Sequence, residues 1–110
     1  KAFQEDRPRA DAWTGAFTQA AGLRVPTAIG DFIMLDILRR SQGTAVAVSD
    51  AEMLTDVRQA GEKEGLLMAP EGAATVSALK KLRNSGFVQA SDEVVLFNTA
   101  TSLKYLHLFP

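Results

Sequence analysis

Two short apolar runs constrain this chain more than anything else in it: residues 44–48 (TAVAV) and residues 94–97 (VVLF). Neither alternates apolar with polar, so each reads as a strand buried on both faces of a sheet. Such a strand needs helices above and below it and other strands at its edges, and two strands alone are marginal in water. The sequence therefore asks for more sheet than it contains. A fold built on it has to be completed by a segment or a chain beyond these 110 residues.

The stretches around the runs are mostly helical in pattern. Residues 1–13 are polar and hold Arg7-Pro8-Arg9, which predicts an extended loop. Trp13 and Phe17 are the first large apolar anchors; their spacing fits one helical face, against which Gly15 counts. Leu23 to Val25 reads as extended up to Pro26. Thr27 then caps a helix running to about Ser41, with Ile29, Phe32, Ile33, Ile37 and Leu38 on its apolar face, Asp36 and Arg40 paired on the wet one, and Gly43 in the left-handed position at its end. Ser49 and Glu52 have the spacing of a capping box. They open a helix that turns Met53, Leu54, Val57 and Ala60 inward and stops at Gly65. Leu66-Leu67-Met68 is a short extended segment. Pro70-Glu71 starts a third helix, with a core stripe of Val76, Leu79 and Leu82 and an end at Gly86. Helix, strand, helix, helix, strand is an α/β order.

Composition removes several functions. Hydrophobic residues at 46% and charged residues at 23% exclude overall disorder. A net charge of −1 with no clustered basic excess argues against nucleic acid. Arg39-Arg40 and Lys80-Lys81-Arg83 read as solvated charge at helix ends. With no cysteine, disulfides and thiolate catalysis are out. One histidine, His107, and scattered acids give no metal site; Asp31, Asp36, Glu62 and Glu64 read as solvated faces. No run approaches the roughly 18 apolar residues of a membrane span, so no membrane partner and a cytoplasmic setting are expected. The chain opens on Lys1, which allows it to be a fragment.

Asn98, Thr99, Thr101 and Ser102 follow directly on the last apolar run. In open α/β sheets, ligands bind beyond the carboxyl ends of strands, and short hydroxyl and amide side chains there can donate to one. A polar loop that satisfies its own backbone is the competing reading, and it is the commoner one. Gly72-Ala73-Ala74 can bring a helix start close to a ligand or simply permit tight packing. No residue of the chain makes a catalytic constellation by itself.

Three ordered runs resemble the threonine synthase family: Ala20-Ala21-Gly22-Leu23-Arg24-Val25-Pro26 with Ile29-Gly30-Asp31-Phe32; residues 43–50 (GTAVAVSD) leading to Pro70-Glu71-Gly72-Ala73-Ala74; and residues 94–99 (VVLFNT), closing with Leu103-Lys104-Tyr105. The resemblance covers nearly all of residues 1–105. It implies part of the large domain of the tryptophan synthase β-like, fold type II pyridoxal-phosphate architecture, a mostly parallel sheet with flanking helices. Within it, residues 1–22 are a loop and helical lead-in, residues 23–105 the α/β core and residues 106–110 a tail, together a C-terminal segment of a larger catalytic domain. It implies conversion of O-phosphohomoserine and water to threonine and phosphate with pyridoxal phosphate, generally in a dimer. The lysine that forms the Schiff base and the glycine-rich phosphate loop lie upstream in the family, so neither carries over; Lys80, Lys81 and Lys104 do not match that lysine. One position does. The family's last core strand ends in a threonine that hydrogen-bonds the cofactor's pyridine nitrogen, and Thr99 matches it. Ser102 stands where the family usually has glycine, and a side chain there crowds the pocket or alters the loop.

The resemblance thus implies that the chain alone is inactive and is completed by the remainder of the domain or by a second copy. Threonine dehydratase-like and cysteate synthase-like enzymes share the architecture and are alternatives. A non-catalytic, self-associating α/β module is the other, since open sheet edges invite pairing.

Overall fold

The computed structural model describes residues 1–109. They form two compact units: Lys1–Thr18 with Arg24–Val46, and Gln19–Leu23 with the chain from Ala47 onward.

In the first unit the helix α1 spans Asp31–Arg40. It starts four residues after the expected Thr27. Gly30 is the residue before it and gives no side-chain cap. Asp31 does that work from inside the helix: its carboxylate accepts from the Phe32 amide at 2.7 Å and the Ala10 amide at 2.6 Å. Arg9 adds an ion pair at 3.1 Å. Asp31 is therefore buried, not solvated as expected. At the other end Arg39 holds the polar lead-in, donating to the Arg7 carbonyl at 2.7 Å and pairing with Asp6 at 2.9 Å. Asp36 and Arg40 pair as expected. Gln42, not Gly43, takes the left-handed backbone (φ 55°), while the Gly43 amide closes the helix onto the Leu38 carbonyl at 2.8 Å.

The apolar face of α1 is where the expectation changes most. Only Leu35 is buried; Phe32, Ile33 and Ile37 are about half exposed and Ile29 is 91% exposed. Trp13 and Phe17 are not anchors either, for both are exposed and Gly15 (φ 70°) turns the chain between them. The arginines Arg9 and Arg24 cover the Phe32 and Phe17 rings at 4.3 and 4.8 Å.

In the second unit α2 spans Asp50–Glu64 and α3 spans Pro70–Asn84. The capping box forms as expected: the Glu52 amide donates to Ser49 Oγ at 3.3 Å and the Ser49 amide to Glu52 Oε2 at 2.7 Å. Gly65, with φ 66°, ends α2. Contacts of Glu52 with Lys81 and of Asp56 with Ser77 set the two helices antiparallel. Their core is Ala20, Met53, Val57, Met68 and Ala73, with Ala60, Val76 and Phe109 against it. The buried positions of α3 are Pro70, Gly72, Ala73 and Ser77, whereas Leu79 and Leu82 of the expected stripe are only half-buried. Small side chains, not leucines, let α3 come close. Ala21–Leu23 form a 3-10 turn, which takes Leu23 out of the extended segment expected at residues 23–25, and Ser102–Leu108 form two such turns broken at Tyr105.

The mostly parallel sheet does not form among the described residues. Residues 44–48 and 94–97 form neither helix nor ladder, and the one β-type pairing there is an antiparallel bridge between Met68 and Thr101. Val95 and Phe97 are 81% and 76% exposed. Parallel strands need neighbours on their edges, and these two runs lack them among the described residues.

Candidate functional site

The polar stretch after the last apolar run is docked onto the start of α3. The Ala69 amide donates to the Ala100 carbonyl at 3.1 Å, and the Ser102 amide to the Leu67 carbonyl at 2.9 Å. These bonds flank the Met68–Thr101 bridge and clamp residues 100–102 to the lead-in of α3. Thr101 Oγ1 accepts from the Leu103 amide at 3.4 Å and so starts the 3-10 turn. Ser102 is buried beside it.

On the other side of Thr99, Asn98 rests against Gly72. A Cβ built on Gly72 would lie 2.5 Å from Asn98 Oδ1 and 2.9 Å from Met68 Cγ, so only glycine permits the approach. Thr99 sits between the two dockings. It is exposed, and its hydroxyl has no hydrogen-bond partner among the described residues. Thr101 follows the polar-loop reading and satisfies its own backbone, while Thr99 is presented outward.

Glu71, one residue before Gly72, ties the neighbourhood together. Its Oε1 accepts from the Gly22 amide at 2.8 Å and from the Tyr105 hydroxyl. A Cβ on Gly22 would lie 2.8 Å from that same oxygen. Oε2 is enclosed and has no hydrogen-bond partner among the described residues. Burial pushes the Glu71 carboxyl up, but the bonds from Tyr105 and from the backbone amides of Glu71 and Gly22 outweigh it and hold the group below its ordinary value. Tyr105 is pushed up, chiefly by its bond to Glu71 and then by burial. One carboxylate therefore joins the 3-10 turn Ala21–Leu23, α3 and the closing segment. Sequence reasoning took Glu71 only as a charge suited to a helix start. The available signal was a glutamate between an N-terminal proline and a glycine in a chain with a single tyrosine.

Lys80 and Lys81 are engaged between α2 and α3. Lys80 binds Asp56 and Gln59; Lys81 binds Glu52 and the Ala47 carbonyl. His107 stacks loosely with Tyr105, ring centroids 6.2 Å apart. Among the described residues no three metal-ligating side chains converge, and no helix is long and apolar enough to cross a membrane.

For a pyridine-type cofactor, as the resemblance implies, the donor set fits one edge. An uncommitted threonine hydroxyl can donate to a neutral ring nitrogen without forcing its protonation, as a carboxylate partner would. No phosphate-cradling loop is present in the sequence.

Residues 1–100 match the family model described as pyridoxal-phosphate dependent enzyme. The match takes in Gly22, Glu71, Gly72 and Thr99. The threonine synthase of Methanosarcina acetivorans is 30% identical over 104 residues, 94% of this chain and 26% of that protein. That of Methanocaldococcus jannaschii is 30% identical over 87 residues, 79% of this chain and 22% of the other. Threonine synthase 2, chloroplastic, of Arabidopsis thaliana is 31% identical over 81 residues, 70% and 16%. The chain spans about a quarter or less of the length of these relatives.

Proposed function

This chain belongs to the family of pyridoxal-phosphate-dependent enzymes, and from that premise we propose that it forms the pyridine-nitrogen side of the cofactor site in an enzyme of the threonine synthase type. The observation that carries the reading is the Thr99 hydroxyl, exposed and uncommitted between the contact of Asn98 with Gly72 and the backbone bonds of Ala100 and Ser102 to the lead-in of α3. Three relatives named threonine synthase, at 30–31% identity, support the substrate class: O-phosphohomoserine and water, giving threonine and phosphate.

When bound, the cofactor supplies an electron sink for carbanion chemistry. This chain's part is to orient the ring through Thr99, with Asn98 and Ala100 fixing the backbone on either side. The anchoring lysine and the phosphate loop belong to the remainder of the domain. Residues 44–48 and 94–97 become strands of its parallel sheet, and the remainder of the domain covers the apolar face of α1. The exposed valines and isoleucines support that completion. The same reading takes the complete enzyme to be a cytoplasmic homo-oligomer.

Two measurements test this. In the complete enzyme, Thr99→Val should weaken cofactor retention and shift the absorbance of the bound cofactor; an unchanged spectrum and affinity would refute the role of Thr99. The 110-residue chain, mixed with pyridoxal phosphate and O-phosphohomoserine, should release no threonine. Threonine formation above background would overturn the claim that the chain is incomplete.

A further inference from the structure

We propose that Glu71 is a positioning residue for Thr99: by holding Tyr105 and Gly22 on one carboxylate oxygen, it keeps the segment from Asn98 to Tyr105 docked on the first turn of α3. The functional meaning rests on the reading of Thr99 given above; the docking itself does not.

The geometry is specific. Thr99 has no side-chain anchor of its own among the described residues, so its place depends on its neighbours. Upstream, the anchor is the contact of Asn98 with Gly72. Downstream, it is the pair of backbone bonds from Ala69 to Ala100 and from Ser102 to Leu67. Two bonds make a short clamp, and an isolated pair of extended segments is marginal in water. Tyr105, buried three residues further on, returns the chain to α3 by its hydroxyl. Tyr105 itself leaves helical geometry (φ −124°, ψ 25°), which separates the two 3-10 turns. Glu71 accepts this bond from the same helical turn that carries Pro70 and Gly72, so the clamp and the tether share one rigid base. The bond from Gly22 adds a third segment to it. A carboxylate acceptor suits the role, since hydrogen bonds to a charged acceptor are the stronger ones.

Amide hydrogen exchange on the 110-residue chain reads the docking. In Glu71→Ala and in Tyr105→Phe, the Ala69 and Ser102 amides should exchange about tenfold faster or more, the effect of losing a bond to a charged group. Val57 and Ser77, in the packed helices, should keep their protection. Glu71→Gln retains an oxygen acceptor and should restore most of it. Tyr105→Phe removes a single oxygen and carries the test if Glu71→Ala unfolds. Unchanged Ala69 and Ser102 protection in Tyr105→Phe overturns the proposal. The single tyrosine gives a second readout: its ultraviolet ionisation midpoint should fall in Glu71→Gln, and an unmoved midpoint contradicts the contact. Thr99→Val should leave all these protections intact. Its effect on cofactor retention in the complete enzyme tests the Thr99 reading separately, so either idea can fail alone.

Discussion

The buried carboxylate of Asp56 on α2 accepts a 2.6 Å hydrogen bond from the Ser77 hydroxyl on α3. Lys80, half exposed, joins the same carboxylate from one turn further along. The hydroxyl bond is enclosed, whereas the ion pair is open to water at its Lys80 end, so the two differ in worth. Ser77→Ala should cost about 1–3 kcal/mol, because it leaves a buried acceptor short of a partner. Lys80→Met leaves the carboxylate its hydroxyl partner and should cost less. Urea unfolding of the two variants checks the order; equal losses would show that burial does not set the strength here.

The capping box makes α2 acid-sensitive. The Glu52 carboxyl is held down to about 2, first by the Ser49 amide, then by the Lys81 ammonium and the Ser49 hydroxyl. A carboxyl lowered on folding adds stability above its ordinary value of 4.5, and loses it as pH falls toward about 2. Denaturation midpoints measured down this window should drop more steeply for the parent chain than for Glu52→Gln. Parallel curves would mean that Glu52 is not the titrating group.

Gly72→Ala sets two effects against each other. Alanine favours the helix by about 1 kcal/mol over glycine, yet its Cβ would lie 2.5 Å from Asn98 Oδ1 and 2.9 Å from Met68 Cγ. Overpacking of this kind costs about 1–3 kcal/mol, so the variant should be less stable than its parent. Asn98→Ala introduced with it should recover part of the loss, since contacting residues are coupled. Simple additivity of the two changes would place Asn98 away from Gly72.

Asp31 links the start of α1 to residues 9 and 10. Its carboxylate is held below the ordinary range, chiefly by the Ala10 amide, with the Phe32 amide and Arg9 adding to it against burial. Asp31→Ala removes the acceptor for two backbone donors and should lower stability by about 1–3 kcal/mol. The first turn of α1 should fray, visible as faster exchange of the Phe32 amide. Full retention of that protection would contradict the assignment.

What was legible in the sequence depended on how far away the partner lies. Ser49 and Glu52 are three residues apart, Gly65 acts on its own helix, and Pro70 opens one. Each feature carries its partner in the same short window, and each was readable. Asp31 was not, because what buries it is the amide of Ala10, 21 residues away. Tyr105 and Glu71 are 34 apart, and neither residue type announces the other. Periodicity showed which face of α1 is apolar, but it cannot say whether the chain supplies a cover. In the site, resemblance singled out Thr99; the dockings that present it, and the roles of Gly22 and Glu71, are tertiary and came only with the structure.

The run at 94–97, with Val94, Val95 and Phe97 exposed, has a consequence for any cell that makes this stretch uncovered. Residues 94–99 (VVLFNT), uncharged, free of proline and led by four residues of high β-propensity, have the six-residue length of a cross-β seed. Asp92 and Glu93 stand immediately before them and act as gatekeepers, since stacked copies would bring like charges together. Neutralising both would turn a solubility safeguard into a nucleation site, with thioflavin-positive fibrils in place of a dispersed chain.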